Sequence, residues 1–185
     1  MTYLIAGLIL FFALHAVPSI APLKNGLLAR LGTIGYRALF SVVSASSLGL
    51  IVYGFATSPT VDLWIAPTFA MHLAYVVVPL AFVLLVSGLL RGNVLRLTRH
   101  PMLWAVGLWA SVHLLNNGDI ASVMLFGGFL VFIVLVAHSI RKRPPKPAPA
   151  KAPIWRDILG VVLGLAIAYA IAYFHADLFG VAVLP

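Results

Sequence analysis

Six apolar runs, each close to the length of a membrane-crossing helix, are separated by loops in which the cations take only alternate places. The runs cover residues 2–21, 36–56, 69–90, 99–119, 120–140 and 158–174. A crossing needs about 20 apolar residues, and helices satisfy their own backbone polar groups where no water is available. Lys24, Arg30 and Arg37 follow the first run; Arg91, Arg96 and Arg99 follow the third; Arg141, Lys142, Arg143, Lys146, Lys151 and Arg156 follow the fifth. All twelve basic residues therefore fall on one side, while Asp62, Asp119 and Asp177 fall on the other and Asp157 alone joins the cations. This pattern predicts an all-α polytopic membrane helix bundle of about six transmembrane helices, with both termini non-cytoplasmic. A composition of 63% hydrophobic and 9% charged residues agrees. In such a chain the net charge of +8 reports the distribution of loops and calls for no nucleic acid.

The segment 21–32 carries Lys24 and Arg30 among leucines and reads as a short interfacial helix. The proline-rich stretch RKRPPKPAPAKAP cannot continue a helix. The expected organisation is a five-helix membrane domain over 1–143, a Pro/Lys-rich cytoplasmic linker over 144–153, and a sixth transmembrane helix with a short tail over 154–185. No repeat of 30–50 residues and no inverted duplication is visible.

Several chemistries are closed to this chain. Without cysteine it holds no disulfide, iron–sulfur cluster, thiolate zinc or covalently attached haem. Four acids leave little for acid–base work, and no phosphate-binding loop or metalloprotease motif is present. The information lies in six histidines, because an ionisable group inside a membrane is costly and invites a functional reading. His100, His138 and His175 fall at the ends of runs, where an imidazole simply reaches the interface, and His72 lies one turn into the third. His15 and His113 sit within runs. Residues three, four and seven or eight positions before them share a helix face with them: Gly7, Leu8 and Phe11 for His15, and Ala105, Val106, Trp109 and Ala110 for His113. Small residues beside an aromatic ring leave room for a planar apolar cofactor held by two imidazoles. A pair of buried histidines satisfied by serine or backbone carbonyls has the same pattern, so the residues alone leave both readings open. His100 and His113 are 13 residues apart, which puts them on nearly opposite faces about 20 Å apart along the axis.

The stretch HPMLWAVGLWASVHLLNNGD, with the early FFALHAVPS and with GYRALFSVVSASSLGLIVYGF, resembles the NnrU family of bacterial membrane proteins, which is related to the plant and cyanobacterial 15-cis-zeta-carotene isomerase. The resemblance covers residues 1–143. It implies a non-covalently bound haem b with His15 and His113 as axial ligands, since these match the ligands of the isomerase. His100, which matches a histidine that is not a ligand there, and Trp109 are expected around the pocket. Arg37 or Arg99 is expected to pair with a haem propionate. The isomerase carries a cysteine near its later ligand that takes part in ligand exchange; the matching residue here is Ala110, which excludes thiolate exchange. NnrU proteins are associated with nitrogen-oxide metabolism. The resemblance therefore implies a redox or nitric oxide-responsive haem protein of the bacterial cytoplasmic membrane, with nitrite or nitric oxide reductase components as partners beside the lipid bilayer. The alternatives are a haem-dependent cis–trans isomerase of a polyene or other lipid-soluble substrate, and a haem-free assembly or transport factor.

Overall fold

The computed structural model describes residues 1–142, 144, 147 and 149–184. The described chain is helical apart from loops, 3-10 and π turns and one isolated bridge, Asp62–Asp119. It divides into two compact units, Met1–Val61 and Asp62–Pro185.

The first unit is a helix pair. Helix α1, Thr2–Ala16, runs into a 3-10 turn, Val17–Ser19, and α2 covers Ala21–Ala56. Gly32 interrupts α2 with φ 65° and ψ 177°, a conformation that glycine adopts without steric cost. The interruption separates the expected interfacial segment from the expected second span. The two helices approach closely where side chains are small. A Cβ on Gly7 would lie 2.8 Å from the backbone nitrogen of Ile51, and one on Gly54 would overlap the backbone at Leu4. Leu4 and Ser47 are fully buried there.

The second unit is built around α3, Ala70–Leu89. After α4, Val94–Thr98, helix α5, Pro101–Asn116, returns along α3 from end to end. At one end a Cβ on Gly88 would stand 2.8 Å from the Pro101 ring, and at the other the Asn116 amide donates to the Ala70 carbonyl at 3.0 Å. The chain continues as α6, Ile120–Ser122, a π turn, Val123–Gly127, and α7, Gly128–Arg141. Helix α8, Trp155–Tyr173, packs on α3, and α9, His175–Phe179, follows it. The buried residues of α8 are Gly160, Gly164 and Ala168, one every four residues, which is the spacing of close-packed membrane helices. A Cβ on Gly164 would lie 2.6 Å from Val83 Cα, and one on Gly160 would overlap the Ser87 hydroxyl.

Among the described residues five stretches are long and apolar enough to cross a membrane: Thr2–Ser19, Ala21–Ala56, Ala70–Leu89, Ile120–Arg141 and Trp155–Tyr173. The expected fourth span forms as α5, but with 16 residues its length is about 24 Å, against roughly 30 Å of hydrocarbon. The expected linker lies partly outside the described residues, since Pro145, Lys146 and Ala148 fall there; its described residues form no helix.

Two details join α8 and its approach to the turn between α3 and α5. Asn93 donates to Asp157 through both its backbone N–H and its side-chain amide, each at 2.6 Å, and exchanges hydrogen bonds with the backbone of Ala152 at 2.9 and 3.0 Å. The helix ends beside it are held by arginines. Arg91 closes α3 with φ 53°, where its N–H donates to Gly88 and that of Gly92 to Ser87; Arg99 closes α4 with φ 57°, its N–H donating to Leu95. Both caps place a side chain in a conformation that favours glycine, at a cost of about 1–2 kcal/mol each.

If backbone approach holds α8 on α3, Gly164→Ala destabilises the protein by about 1–3 kcal/mol through overpacking. Gly49→Ala, where an added methyl meets nothing within 4 Å, is neutral or slightly stabilising. Unfolding in detergent micelles by titration with dodecyl sulfate measures both. Asp157→Ala strands the Asn93 donors at a cost of about 1–3 kcal/mol, and limited proteolysis then cuts faster within residues 149–156.

Candidate functional site: two anchored histidines

His15 lies in the last turn of α1 and His113 in the last turn of α5. Each is half-buried. Each places Nδ1 2.8 Å from the carbonyl oxygen four residues earlier, Phe11 for His15 and Trp109 for His113. A carbonyl only accepts, so Nδ1 carries the proton and the lone pair resides on Nε2. That is the tautomer in which imidazole ligates a metal, and the backbone bond fixes the ring's direction as an outer-shell partner does in metal sites.

Aromatic rings flank both imidazoles. Phe11 stacks on His15 with centroids 4.0 Å apart, and Phe40 of α2 meets it edge-on at 5.1 Å. One turn beyond Phe40 the hydroxyl of Ser44 is buried with no hydrogen-bond partner among the described residues, an unusual state for a buried polar atom. In the second unit Phe126 approaches His113 at 5.0 Å, and Trp109 lies 5.2 Å from the same ring while meeting Phe126 and Phe129 edge-on. Phe126 belongs to the π turn. Phe126 and Phe129, three residues apart and so on one helix face, both reach Trp109. Of the small residues expected near His113, Ala105 and Ala110 are buried.

The remaining residues of interest are set apart. His100 is the exposed N-cap of α5, and Arg99 the exposed residue before it; both sit at the end of α5 opposite to His113, a rise of about 20 Å. Arg37 is exposed on α2, three residues before Phe40. His72 and His138 are exposed, and His175 binds the Val181 carbonyl at the end of α8. Among the described residues no three histidine or acidic side chains converge as a metal-binding group. An open apolar cavity of about 360 Å³ lies beside α5, lined by Trp64, Ser111, Leu114, Leu115 and Leu130.

The π turn and the ring of Phe40 are absent from the reading of the sequence alone. The π turn itself, VMLFG, contains no proline or polar side chain to mark a change of helix type. Phe40 is 25 residues from His15 and reaches it only because α1 and α2 pack closely.

No curated protein and no solved structure matches the chain significantly. The family model described as NnrU protein matches residues 3–183, nearly the whole chain, C-terminal helix included, and the chain belongs to that family.

Proposed function

We propose that this membrane protein binds haem b, with His15 and His113 as the axial ligands, and works in nitrogen-oxide metabolism as a redox or nitric oxide-responsive component of the bacterial cytoplasmic membrane. The carrying observation is the matched state of the two imidazoles, each with Nδ1–H donated to its own helix backbone. An imidazole whose Nδ1–H is committed to its own helix backbone and whose Nε2 keeps the lone pair suits a metal whose other ligands come with a cofactor, as the iron of haem does. The aromatic rings beside each histidine suit an apolar macrocycle, and the buried Ser44 hydroxyl one turn beyond Phe40 is a polar group available to a ligand's edge. The nitrogen-oxide setting and the nitrite or nitric oxide reductase partners come from the family resemblance. When bound, haem supplies one-electron chemistry and an iron site for nitric oxide.

The chain's own contribution is to bind, orient and shield. The carbonyls of Phe11 and Trp109 hold the imidazole planes; Phe11, Phe40 and Phe126 keep water from them. Arg37, on α2 near Phe40, is the propionate partner in this proposal. With α5 counted as the sixth crossing, since it runs beside α3 throughout, every basic loop faces the cytoplasm and both termini face away. A second reading, a cis–trans isomerase of a polyene or other lipid-soluble substrate, is favoured by the apolar cavity next to α5, whose lining includes Leu114 adjacent to His113.

Purified protein is expected to show a low-spin b-type absorption spectrum, oxidised and dithionite-reduced. His15→Ala and His113→Ala each lose it, and His175→Ala keeps it. A colourless protein under ample haem supply, or equal spectra in all three variants, overturns the assignment. Arg37→Ala lowers haem occupancy; full occupancy removes the propionate role. Nitric oxide added to the reduced protein is expected to change the spectrum slowly, since both His15 and His113 would hold the group; no change rejects the sensor.

A further inference from the structure

Arg91 and Arg99 are the only non-glycine residues with positive φ among the described residues. One closes α3 and the other closes α4, five residues long, and both occupy the cap position where glycine is the usual residue. Packing gives no reason for arginine there, since both side chains are exposed. A backbone cost met twice, each time for a guanidinium, points to a role for the guanidinium groups themselves.

The charge around them has no internal balance. Arg96 lies on α4, and the hydrogen bonds of Asn93 to Ala152 and Asp157 bring the neighbouring Lys151 and Arg156 to the same turn. Asp157 is the one acid in these segments, and both of its oxygens accept from Asn93. Exposed apolar side chains stand among these cations. Leu97, between Arg96 and Arg99, is 85% exposed, and Trp155 is 54% exposed with the Arg156 guanidinium 5.5 Å from its ring centroid. Leucine and tryptophan alternating with arginine suit the boundary between headgroups and acyl chains, where the apolar groups meet lipid and the cations meet phosphate. A water-soluble anion would leave Leu97 and Trp155 in water.

We propose that Arg91 and Arg99 form a binding site for the phosphate of an anionic phospholipid, with Arg96, Lys151 and Arg156 supplying the surrounding positive field. Guanidinium suits this task through its paired N–H donors. The site is independent of any haem chemistry and lies at the opposite end of α5 from His113.

The test reconstitutes the full-length protein in nanodiscs of phosphatidylcholine, with or without phosphatidylglycerol, and measures the thermal unfolding midpoint. The wild type is expected to melt higher with phosphatidylglycerol. An Arg91→Gly/Arg99→Gly double variant is expected to melt higher than the wild type in phosphatidylcholine alone, because the caps relax, and to lose most of the phosphatidylglycerol-dependent rise. Arg91→Lys/Arg99→Lys keeps part of that rise. Asparagine also tolerates the left-handed backbone, so Arg91→Asn/Arg99→Asn replaces the glycine variant if that one fails to accumulate. Inorganic phosphate added to phosphatidylcholine nanodiscs is expected to give no rise. The proposal is overturned if the glycine and asparagine variants retain the full phosphatidylglycerol effect, if they melt lower than the wild type in phosphatidylcholine, or if inorganic phosphate reproduces the rise and so identifies a free anion as the ligand.

Discussion

Helices in hydrocarbon gain no hydrophobic free energy by exchanging lipid for leucine, so their association rests on how closely the backbones approach. In this protein the approach is made at glycines. Gly7 and Gly54 bring α1 and α2 together in the first unit, and Gly88, Gly160 and Gly164 bring α5 and α8 onto α3 in the second. Van der Waals attraction falls steeply with distance, so a single methyl group at these positions forces neighbours apart. The polar groups follow from the same contacts. Asn116 can bind the Ala70 carbonyl, and Asn93 can hold Asp157, only because α5 and α8 lie so near to α3 and its turn.

That rigidity bears on the histidines. An imidazole in an apolar setting needs a partner for its N–H, and the nearest acceptor is the carbonyl one turn earlier. His15 and His113 both use it. The bond removes one proton position from further chemistry and leaves the other nitrogen as a base or ligand. Around His113 the neighbouring ring, Phe126, belongs to a π turn. The surroundings of both histidines are therefore aromatic. The same helix also borders an open apolar cavity.

The opposite end of α5 has a different character. Charges cluster there, the one acid is committed to Asn93, and two arginines hold backbone conformations that glycine would hold more easily. The two ends of the helix thus differ: one carries an anchored imidazole among aromatic rings, the other a cationic surface.

The amino-acid sequence by itself determined the membrane class, the helical fold, the approximate bounds of most helices and the family. Hydropathy and the one-sided placement of Lys and Arg act over whole segments and need no partner to be read. It also marked His15 and His113, because an ionisable residue inside an apolar run stands out at once, and it marked Gly7, Ala105, Trp109 and Ala110 as their neighbours through helical periodicity. It left open whether those histidines ligate or merely pack, since both states have the same spacing. Only the tertiary structure decided which ring meets which histidine, as with Phe40 and Phe126, because such contacts depend on how one helix faces another. Only the tertiary structure, too, decided that Asp157 serves Asn93 and that Arg91 and Arg99 take left-handed caps. A cap conformation is set by where the next helix must start, and residue types that favour no such turn give no notice of it.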